Sequence, residues 1–188
     1  MTLKAINTGV LFTFVDATNN KGEFEKGATS SGIILKTNFD ESARQARFAK
    51  VHYVGPEVTS VKPGDTILIP ALRWTEGVST PEGKRWKTDV KEIAAVVDGD
   101  VLKPLNTHVL FTLTKQSEEI SSSGIVLVTK QSNDSQSGVT IAVEDGGTTA
   151  LIGRKFYFND PNFFNTITFK DREVSFIKED EILAFEGE

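Results

Sequence analysis

The feature that most constrains this chain is a long internal repeat. Residues 3–14 align without gaps on residues 102–113, with eight of the twelve positions identical and an offset of 99 residues. Ser-Ser-Gly followed by three aliphatic residues occurs at 30–35 and again at 122–127, with an offset of 92. Because the order is kept while the spacing shrinks, the chain is predicted to hold two copies of one domain with loops of different length.

The end of each copy gives a third match and the position of the boundary. Residues 92–96 align on residues 181–185 with an offset of 89. Between the copies lies Asp98-Gly99-Asp100, a tripeptide typical of a tight turn. We therefore predict one domain at 1–98, the first repeat, and a second at 99–188, the second repeat, joined by a linker too short to leave them much freedom.

Each repeat reads as a series of short strands. Residues 47–54 alternate between apolar and polar side chains, and Lys62-Pro63-Gly64-Asp65 forms a turn before the apolar run 66–69. The chain holds 15 Gly and 13 Phe, and no segment has a convincing helical period. The predicted fold class is all-β, with two tandem β-barrel domains.

Charge and composition exclude several classes of function. The net charge is −5, and neither half carries a basic stripe, which argues against nucleic-acid binding. The absence of cysteine excludes disulfides, zinc–thiolate sites and cysteine nucleophiles. No apolar run approaches 18 residues and no signal peptide is evident, so we expect a cytoplasmic protein without membrane contact.

The two aliphatic triplets stand out because each follows a polar segment and a small-residue hinge. This arrangement is typical of a flexible loop with an apolar tip, at about 16–35 in the first repeat and 115–128 in the second. A single triplet of this kind would more simply be a core strand. Its recurrence behind the same hinge favours a binding loop.

An ordered set of motifs resembles the GroES co-chaperonin family. The set comprises a first strand at 102–111, a loop ending in Ser-Gly-Ile-Val-Leu at 123–127, a strand ending in Val-Gly at 50–55, Val-Lys-x-Gly-Asp-x-Ile-x-Ile at 61–69, and an acidic closing strand at 179–184. Together the two copies of the set cover nearly the whole chain. The resemblance implies two GroES-like β-barrel domains, each with a mobile loop.

The chain departs from ordinary members of that family in two ways. In ordinary members a longer excursion at this point forms a roof over the cage, and the connections at 55–64 and 144–149 are too short for it. In this respect the chain resembles bacteriophage-encoded co-chaperonins, which lack the roof. Ordinary members also have one domain per chain, whereas tandem domains resemble the duplicated co-chaperonin of chloroplasts. The roofless form favours a phage origin.

The resemblance implies that the protein itself catalyses no reaction. The protein would form a homo-oligomeric ring that caps a GroEL-type chaperonin ring, enclosing an unfolded protein substrate in the host cytoplasm. It is expected not to be an enzyme and to need no cofactor, because the chaperonin binds and hydrolyses the ATP. Carried over by position, the chaperonin-binding residues are Gly32, Ile33, Ile34, Leu35, Gly124, Ile125, Val126 and Leu127.

Two other classes of function are compatible with tandem barrels. The alternative is a phage structural or assembly protein that uses the barrels as a scaffold. The catalytic domain of zinc alcohol dehydrogenases has a related barrel, but this chain lacks cysteine ligands and a dinucleotide domain.

Other residues that could carry chemistry have simpler interpretations. His52 and His108 stand at non-equivalent repeat positions and are expected to be partly exposed strand residues, not a catalytic or metal pair. Trp74 and Trp86 are expected to pack on either side of a hairpin turn at 80–83. Phe163 and Phe164 are interpreted as core or as an apolar patch.

Overall fold

The structure is a computed structural model that describes residues 3–15, 45–114, 119–120, 126–127, 136–159 and 165–187. Within these ranges the regular structure consists of strands and three 3₁₀ turns of three residues each. The predicted all-β class is confirmed. None of the described residues forms a helix long and apolar enough to cross a membrane.

The first sheet has seven antiparallel strands. Along the sheet the order is β4-β5-β1-β2-β3-β6-β7, and a 3₁₀ turn at Val90–Glu92 separates β5 from β6. The strands are β1 (Gly9–Phe14), β2 (Arg47–Val54), β3 (Thr66–Ile69), β4 (Val78–Thr80), β5 (Gly83–Asp89), β6 (Ala95–Asp98) and β7 (Val101–Pro104).

The second sheet has six antiparallel strands in the order β13-β14-β8-β11-β12-β15, and a separate ladder joins β9 to β10. Two 3₁₀ turns accompany it, at Thr149–Leu151 and Glu179–Glu181. The strands are β8 (His108–Leu113), β9 (Glu119–Ile120), β10 (Val126–Leu127), β11 (Gln136–Val143), β12 (Lys155–Phe158), β13 (Thr166–Phe169), β14 (Arg172–Lys178) and β15 (Ile182–Phe185).

The strands repeat with the offsets seen in the sequence. β1 and β8 are 99 residues apart, whereas β2 and β11, β3 and β12, and β5 and β14 are each 89 apart. Hydrogen bonds repeat as well: Val90 N donates to Thr8 O at 2.9 Å, and Glu179 N donates to Thr107 O at 2.8 Å. The change of offset falls between β1 and β2, so the extra ten residues of the first repeat lie in that connection.

Each repeat has its own apolar core, built by the alternation of its strands. In β2, Ala49 and Val51 are buried while Lys50 between them is exposed. In the second repeat the Phe111 ring packs edge-on against two rings of β12, at 4.9 Å from Phe156 and 5.4 Å from Phe158 between centroids. These three phenylalanine rings therefore form the centre of the core of the second repeat.

The tryptophans pack beside the hairpin that the sequence predicts. β4 and β5 pair through Thr80 and Gly83, and the φ angle of Gly83 is 101°, a left-handed value that favours glycine. The Trp74 and Trp86 rings both contact Phe14, with centroids 5.2 and 5.0 Å away. The two side chains therefore belong to the core of the first repeat.

The two repeats are joined by a strand pair across the predicted boundary. β6 and β7 form a hairpin in which Asp98 pairs with Val101, and Gly99 in the turn has a φ angle of 57°. β7 belongs to the second repeat by sequence yet lies at the edge of the first sheet. A third apolar cluster, here called the junction core, contains Ala46, Leu68, Ala94, Ala95, Leu102, Leu110, Ile167, Val174 and Phe176.

Candidate functional site

In both repeats the connection that contains the predicted binding loop leaves one strand and enters the neighbouring strand beside it. Phe14 at the end of β1 pairs with Ala49, and Val15 N donates to Phe48 O at 3.0 Å. In the second repeat Thr114 N donates to Ser137 O at 2.9 Å. The backbone ladder therefore holds the two ends of each connection together at one place on its barrel.

Aromatic packing fixes the strands from which the loops extend. In the first repeat the Phe14 ring lies 5.1 Å from Phe12 and also contacts both tryptophans. In the second repeat Gly138 faces the Phe111 ring so closely that a Cβ at this position would overlap it. Because these strands are held by packing, binding of a partner would have to order only the loop and not the strands that carry it.

Most of the predicted chaperonin-binding residues lie outside the described residues. These are Gly32, Ile33, Ile34, Leu35, Gly124 and Ile125. Val126 and Leu127 form β10, where Val126 pairs with Ile120 and Leu127 with Glu119. The sequence predicts a strand at 125–129, and the two residues of this segment that the structure describes form β10.

The two loops differ in length. The first connection covers residues 15–46 and the second covers residues 114–135. From the repeat offsets, seven of the ten extra residues precede the aliphatic triplet. The first triplet therefore sits on a longer tether than the second.

His52 lies in a polar group on the outer side of the first repeat. Its Nε2 is 2.9 Å from the Thr13 hydroxyl oxygen, and burial, followed by the Arg85 guanidinium, lowers the pKa of His52. Nearby, the Tyr53 hydroxyl donates to the Glu82 carboxylate at 2.5 Å, and this hydrogen bond raises the pKa of Tyr53. The first contact joins the neighbouring strands β1 and β2, and the second joins β2 to the turn between β4 and β5.

His108 corrects one expectation, because it is buried and only 3% exposed. Its Nδ1 lies 2.8 Å from Leu105 O, and its ring packs 6.0 Å from the Phe176 ring. Burial lowers its pKa most strongly. Partial exposure of His108 was expected because the sequence does not show that the start of β8 faces inward beside β14. The two histidines belong to different sheets.

In the part of the chain that the structure describes, no group of three His, Cys, Asp or Glu side chains could hold a metal ion. The acidic segment Glu179–Glu181 forms a 3₁₀ turn, in which Glu181 accepts a hydrogen bond from Lys178 N at 3.1 Å. Phe163 and Phe164 lie outside the described residues.

The sequence analysis missed one contact between the two repeats, which is made by Asn106. Its side-chain amide donates to Val90 O and Ile93 O, each at 2.8 Å, and so joins the second repeat to the 3₁₀ turn of the first. The Glu144 carboxylate accepts hydrogen bonds from Asn106 N at 3.0 Å and Thr107 N at 2.6 Å. The Asn-Thr pair is identical in both copies of the repeat and marks this position, but it does not identify the acceptors.

Comparison with known protein families gives a match that covers the second repeat. Residues 101–185 match the model of the Cpn10 family, described as the chaperonin 10 Kd subunit. The match runs from β7 to β15. No curated protein matches the chain. Over these residues the chain is therefore similar to the co-chaperonin family that its motifs resemble.

Proposed function

We propose that this protein is a co-chaperonin that caps a GroEL-type chaperonin ring and assists ATP-dependent protein folding. The observation that carries the proposal is the repeated loop base. Both repeats extend a connection of more than 20 residues from the same strand pair, and each connection holds an aliphatic triplet. The family match over residues 101–185 supports the same function.

The triplets suit a partner that must be released in every cycle. Burying one aliphatic side chain contributes about 1.5–3 kcal/mol, so three contribute about 5–9 kcal/mol before costs. Ordering a disordered loop costs about 2–5 kcal/mol. One loop is therefore a weak ligand, and several loops held on one ring would bind tightly together through avidity.

The second loop is proposed to be the stronger ligand of the two. The β9–β10 ladder fixes the backbone of Val126 and Leu127 before binding, which reduces the conformational entropy lost on docking. The first loop is ten residues longer and therefore has more freedom to lose. It would reach farther and bind more weakly.

In this proposal the chaperonin, and not this protein, carries out the chemical reaction. The chaperonin binds and hydrolyses ATP, and the co-chaperonin needs no cofactor of its own. The enclosed ligand is an unfolded protein. A phage-encoded form would work in the cytoplasm of its host.

The direct test is electron microscopy of the protein mixed with a GroEL-type chaperonin and ATP. Capped complexes are expected with the parent protein and are expected to disappear when four triplet residues are replaced by serine: Ile33, Ile34, Ile125 and Val126. The matched control replaces Val101 and Ile152 by serine, because both are exposed aliphatic residues outside the loops. Uncapped chaperonin with the parent protein, or equal capping by the parent and the quadruple variant, would contradict the proposal.

A further inference from the structure

The first connection returns to its barrel at a place where the second repeat covers the surface. Within β2, Ala49 and Val51 belong to the core of the first repeat, so the alternation of the strand turns Phe48 to the opposite face. Phe48 is nevertheless half-buried, because it packs against the junction core. The beginning of β2 thus meets side chains of the second repeat.

Two further residues of the first repeat extend this contact. Ala46, the residue before β2, is itself a member of the junction core and is only 9% exposed. On the neighbouring strand, Leu68 pairs with Phe48 and is fully buried in the same cluster. The chain that leaves the first connection is therefore built into the contact between the repeats from its first residues.

On the side of the second repeat the contact is made by Phe169. It is the last residue of β13, and its ring centroid lies 6.0 Å from that of Phe48. The next two residues, Lys170 and Asp171, have left-handed φ angles of 49° and 62° and form a tight turn into β14. The Lys170 ammonium lies 5.8 Å from the Phe169 ring centroid and forms an ion pair with Asp100 in the turn between β6 and β7. Phe169 is therefore fixed by its own hairpin and by the linker.

The aromatic pair does not occur at the equivalent positions of the repeats. With the offset of 89 residues that relates β2 to β11, Phe48 corresponds to Ser137 and Phe169 corresponds to Thr80. The second connection therefore returns to its barrel beside a serine, whereas the first returns beside a phenylalanine that the other repeat covers. The two connections differ in how their ends are held as well as in length.

The backbone of Phe48 also closes the first connection. Its carbonyl oxygen accepts the hydrogen bond from Val15 N at 3.0 Å. Val15 follows Phe14, whose ring contacts both tryptophans of the first repeat. The start of the connection is thus held by the first repeat, and its end is held by the second.

The second connection starts at the same end of the second sheet as the Phe169 contact. β14 runs antiparallel to β8, with Ser175 opposite Phe111. The turn that leads into β14 therefore lies at the end of the sheet at which β8 stops at Leu113. The second connection leaves from Thr114, directly after Leu113. One end of one sheet therefore carries both the start of the second connection and the contact to the end of the first.

We propose that Phe169 is a positioning residue, which anchors the end of the first connection on the second repeat through Phe48 and Ala46. The two loops of one chain are thereby held at a fixed spacing and present their triplets to two sites of the same chaperonin ring. The role of the loops rests on the proposed function. The anchor itself is a property of the chain without its partner.

An anchored end changes the energetics of docking. A segment whose two ends are both fixed has fewer conformations than one with a loose end, so less freedom is lost when its triplet binds. When the first loop to bind belongs to a chain with a fixed spacing, the other loop is presented to its site at a high effective concentration. The anchor therefore offsets part of the disadvantage of the longer first loop.

Amide hydrogen exchange measured by NMR tests the anchor without any chaperonin. Phe169→Thr introduces the residue that the first repeat has at this position and keeps a side chain suited to a strand. Exchange of the Val15 amide, which is bonded to Phe48 O, is expected to accelerate about fivefold or more. Exchange of the Thr114 amide, which is bonded to Ser137 O, is expected to stay within about twofold of the parent rate.

Two further variants control this measurement. Phe169→Leu is expected to keep most of the protection of the Val15 amide, because it retains a large apolar side chain. Phe185→Thr makes the same substitution at an exposed position of β15 and is expected to change neither amide. Should Phe169→Thr fail to fold, Phe169→Val has the same shape without the hydroxyl and replaces it. The proposal is overturned if the Val15 amide keeps the parent rate, or if the Val15 and Thr114 amides accelerate equally.

Competition binding to a GroEL-type chaperonin in the presence of ATP tests the consequence for function. Phe169→Thr is introduced into a variant that keeps only the first triplet, because Ile125 and Val126 are replaced by serine. It is also introduced into a variant that keeps only the second triplet, because Ile33 and Ile34 are replaced by serine. The affinity is expected to fall about fivefold or more in the first background and to stay within about twofold in the second.

The two experiments separate the anchor from the proposed function. Equal losses of affinity in the two backgrounds, or no loss in the background with only the first triplet, would overturn the positioning role of Phe169. A parent protein that does not bind the chaperonin would contradict the proposed function instead. In that case the exchange rate of the Val15 amide still decides whether Phe169 anchors the first connection.

Discussion

At the residue scale, equivalent positions of the two repeats have taken on different structural roles. Gly55 lies so close to the backbone of Asn7 that a Cβ at position 55 would overlap it. Its equivalent, Glu144, instead extends a carboxylate that accepts two backbone hydrogen bonds from the Asn106-Thr107 turn. The same backbone turn is thus held by close contact in one copy and by a charge-assisted cap in the other.

His108 makes stability depend on pH. Burial lowers the pKa of His108 from 6.5, and the hydrogen bond to the Leu105 carbonyl acts in the opposite direction. The charged groups around His108 are Lys178, Glu181 and Glu144. The unfolded chain therefore takes up a proton at higher pH than the folded chain does. The stability from neutral His108 is complete above the unfolded pKa and is lost as pH falls towards the folded pKa.

We expect the thermal midpoint of the parent to fall more steeply than that of His108→Asn between about pH 7.5 and about pH 5. Asparagine keeps an N–H near the position of Nδ1 but does not titrate in this range. Differential scanning calorimetry at several pH values gives the comparison. Parallel pH profiles for the two proteins would show that His108 does not carry this dependence.

Gly138 is required for close packing between β11 and Phe111. A Cβ at this position would overlap the aromatic ring, which is fully buried and has no room to move aside. We predict that Gly138→Ala lowers the free energy of unfolding by about 1–3 kcal/mol. Gly187→Ala is the control, since a Cβ there has open space around it. Urea denaturation of both variants tests the prediction, and equal stabilities would contradict it.

At the scale of elements, the sequence predicts the strands well because each is a short alternating run closed by a turn. The hairpin at 80–83, the turn at 98–100 and the strand at 47–54 all occur where the pattern puts them. The inward position of His108 could not be predicted, because it depends on which strand lies opposite. The Asn106 contact was missed for the same reason, since its acceptors lie 13 and 16 residues away.

The two loops should contribute unequally to chaperonin binding. We predict that Ile125→Ser with Val126→Ser weakens binding more than Ile33→Ser with Ile34→Ser, because the second loop is shorter and carries the β9–β10 ladder. Competition binding to a chaperonin in the presence of ATP measures both losses. Equal losses, or a larger loss from the first loop, would contradict the ranking.

At the scale of the whole molecule, the junction core joins the two repeats, and we expect them to unfold as one cooperative unit. It holds side chains from both sheets, and the Phe48 and Phe169 rings lie 6.0 Å apart across it. Both tryptophans belong to the first repeat. Tryptophan fluorescence therefore reports the unfolding of one repeat, while far-ultraviolet circular dichroism reports both.

We predict that the two signals change at the same urea concentration and that Phe176→Ala, in the second repeat, shifts both together. The fully buried Phe176 side chain belongs to the junction core, so its loss should cost about 3–5 kcal/mol. Leu183→Ala is the control, because Leu183 is exposed at the free edge of β15. A Phe176→Ala variant whose tryptophan signal keeps the parent midpoint would show that the repeats unfold independently.

In the proposed function, rings of this protein close a chaperonin cavity over an unfolded protein. Protease protection measures this closure: a labelled unfolded substrate is bound to a GroEL-type chaperonin, ATP and this protein are added, and a protease follows. The substrate is expected to resist digestion only when ATP and the parent protein are both present, and to be digested when Ile33, Ile34, Ile125 and Val126 are replaced by serine. Digestion at the same rate with and without the parent protein would show that this protein does not close the cavity.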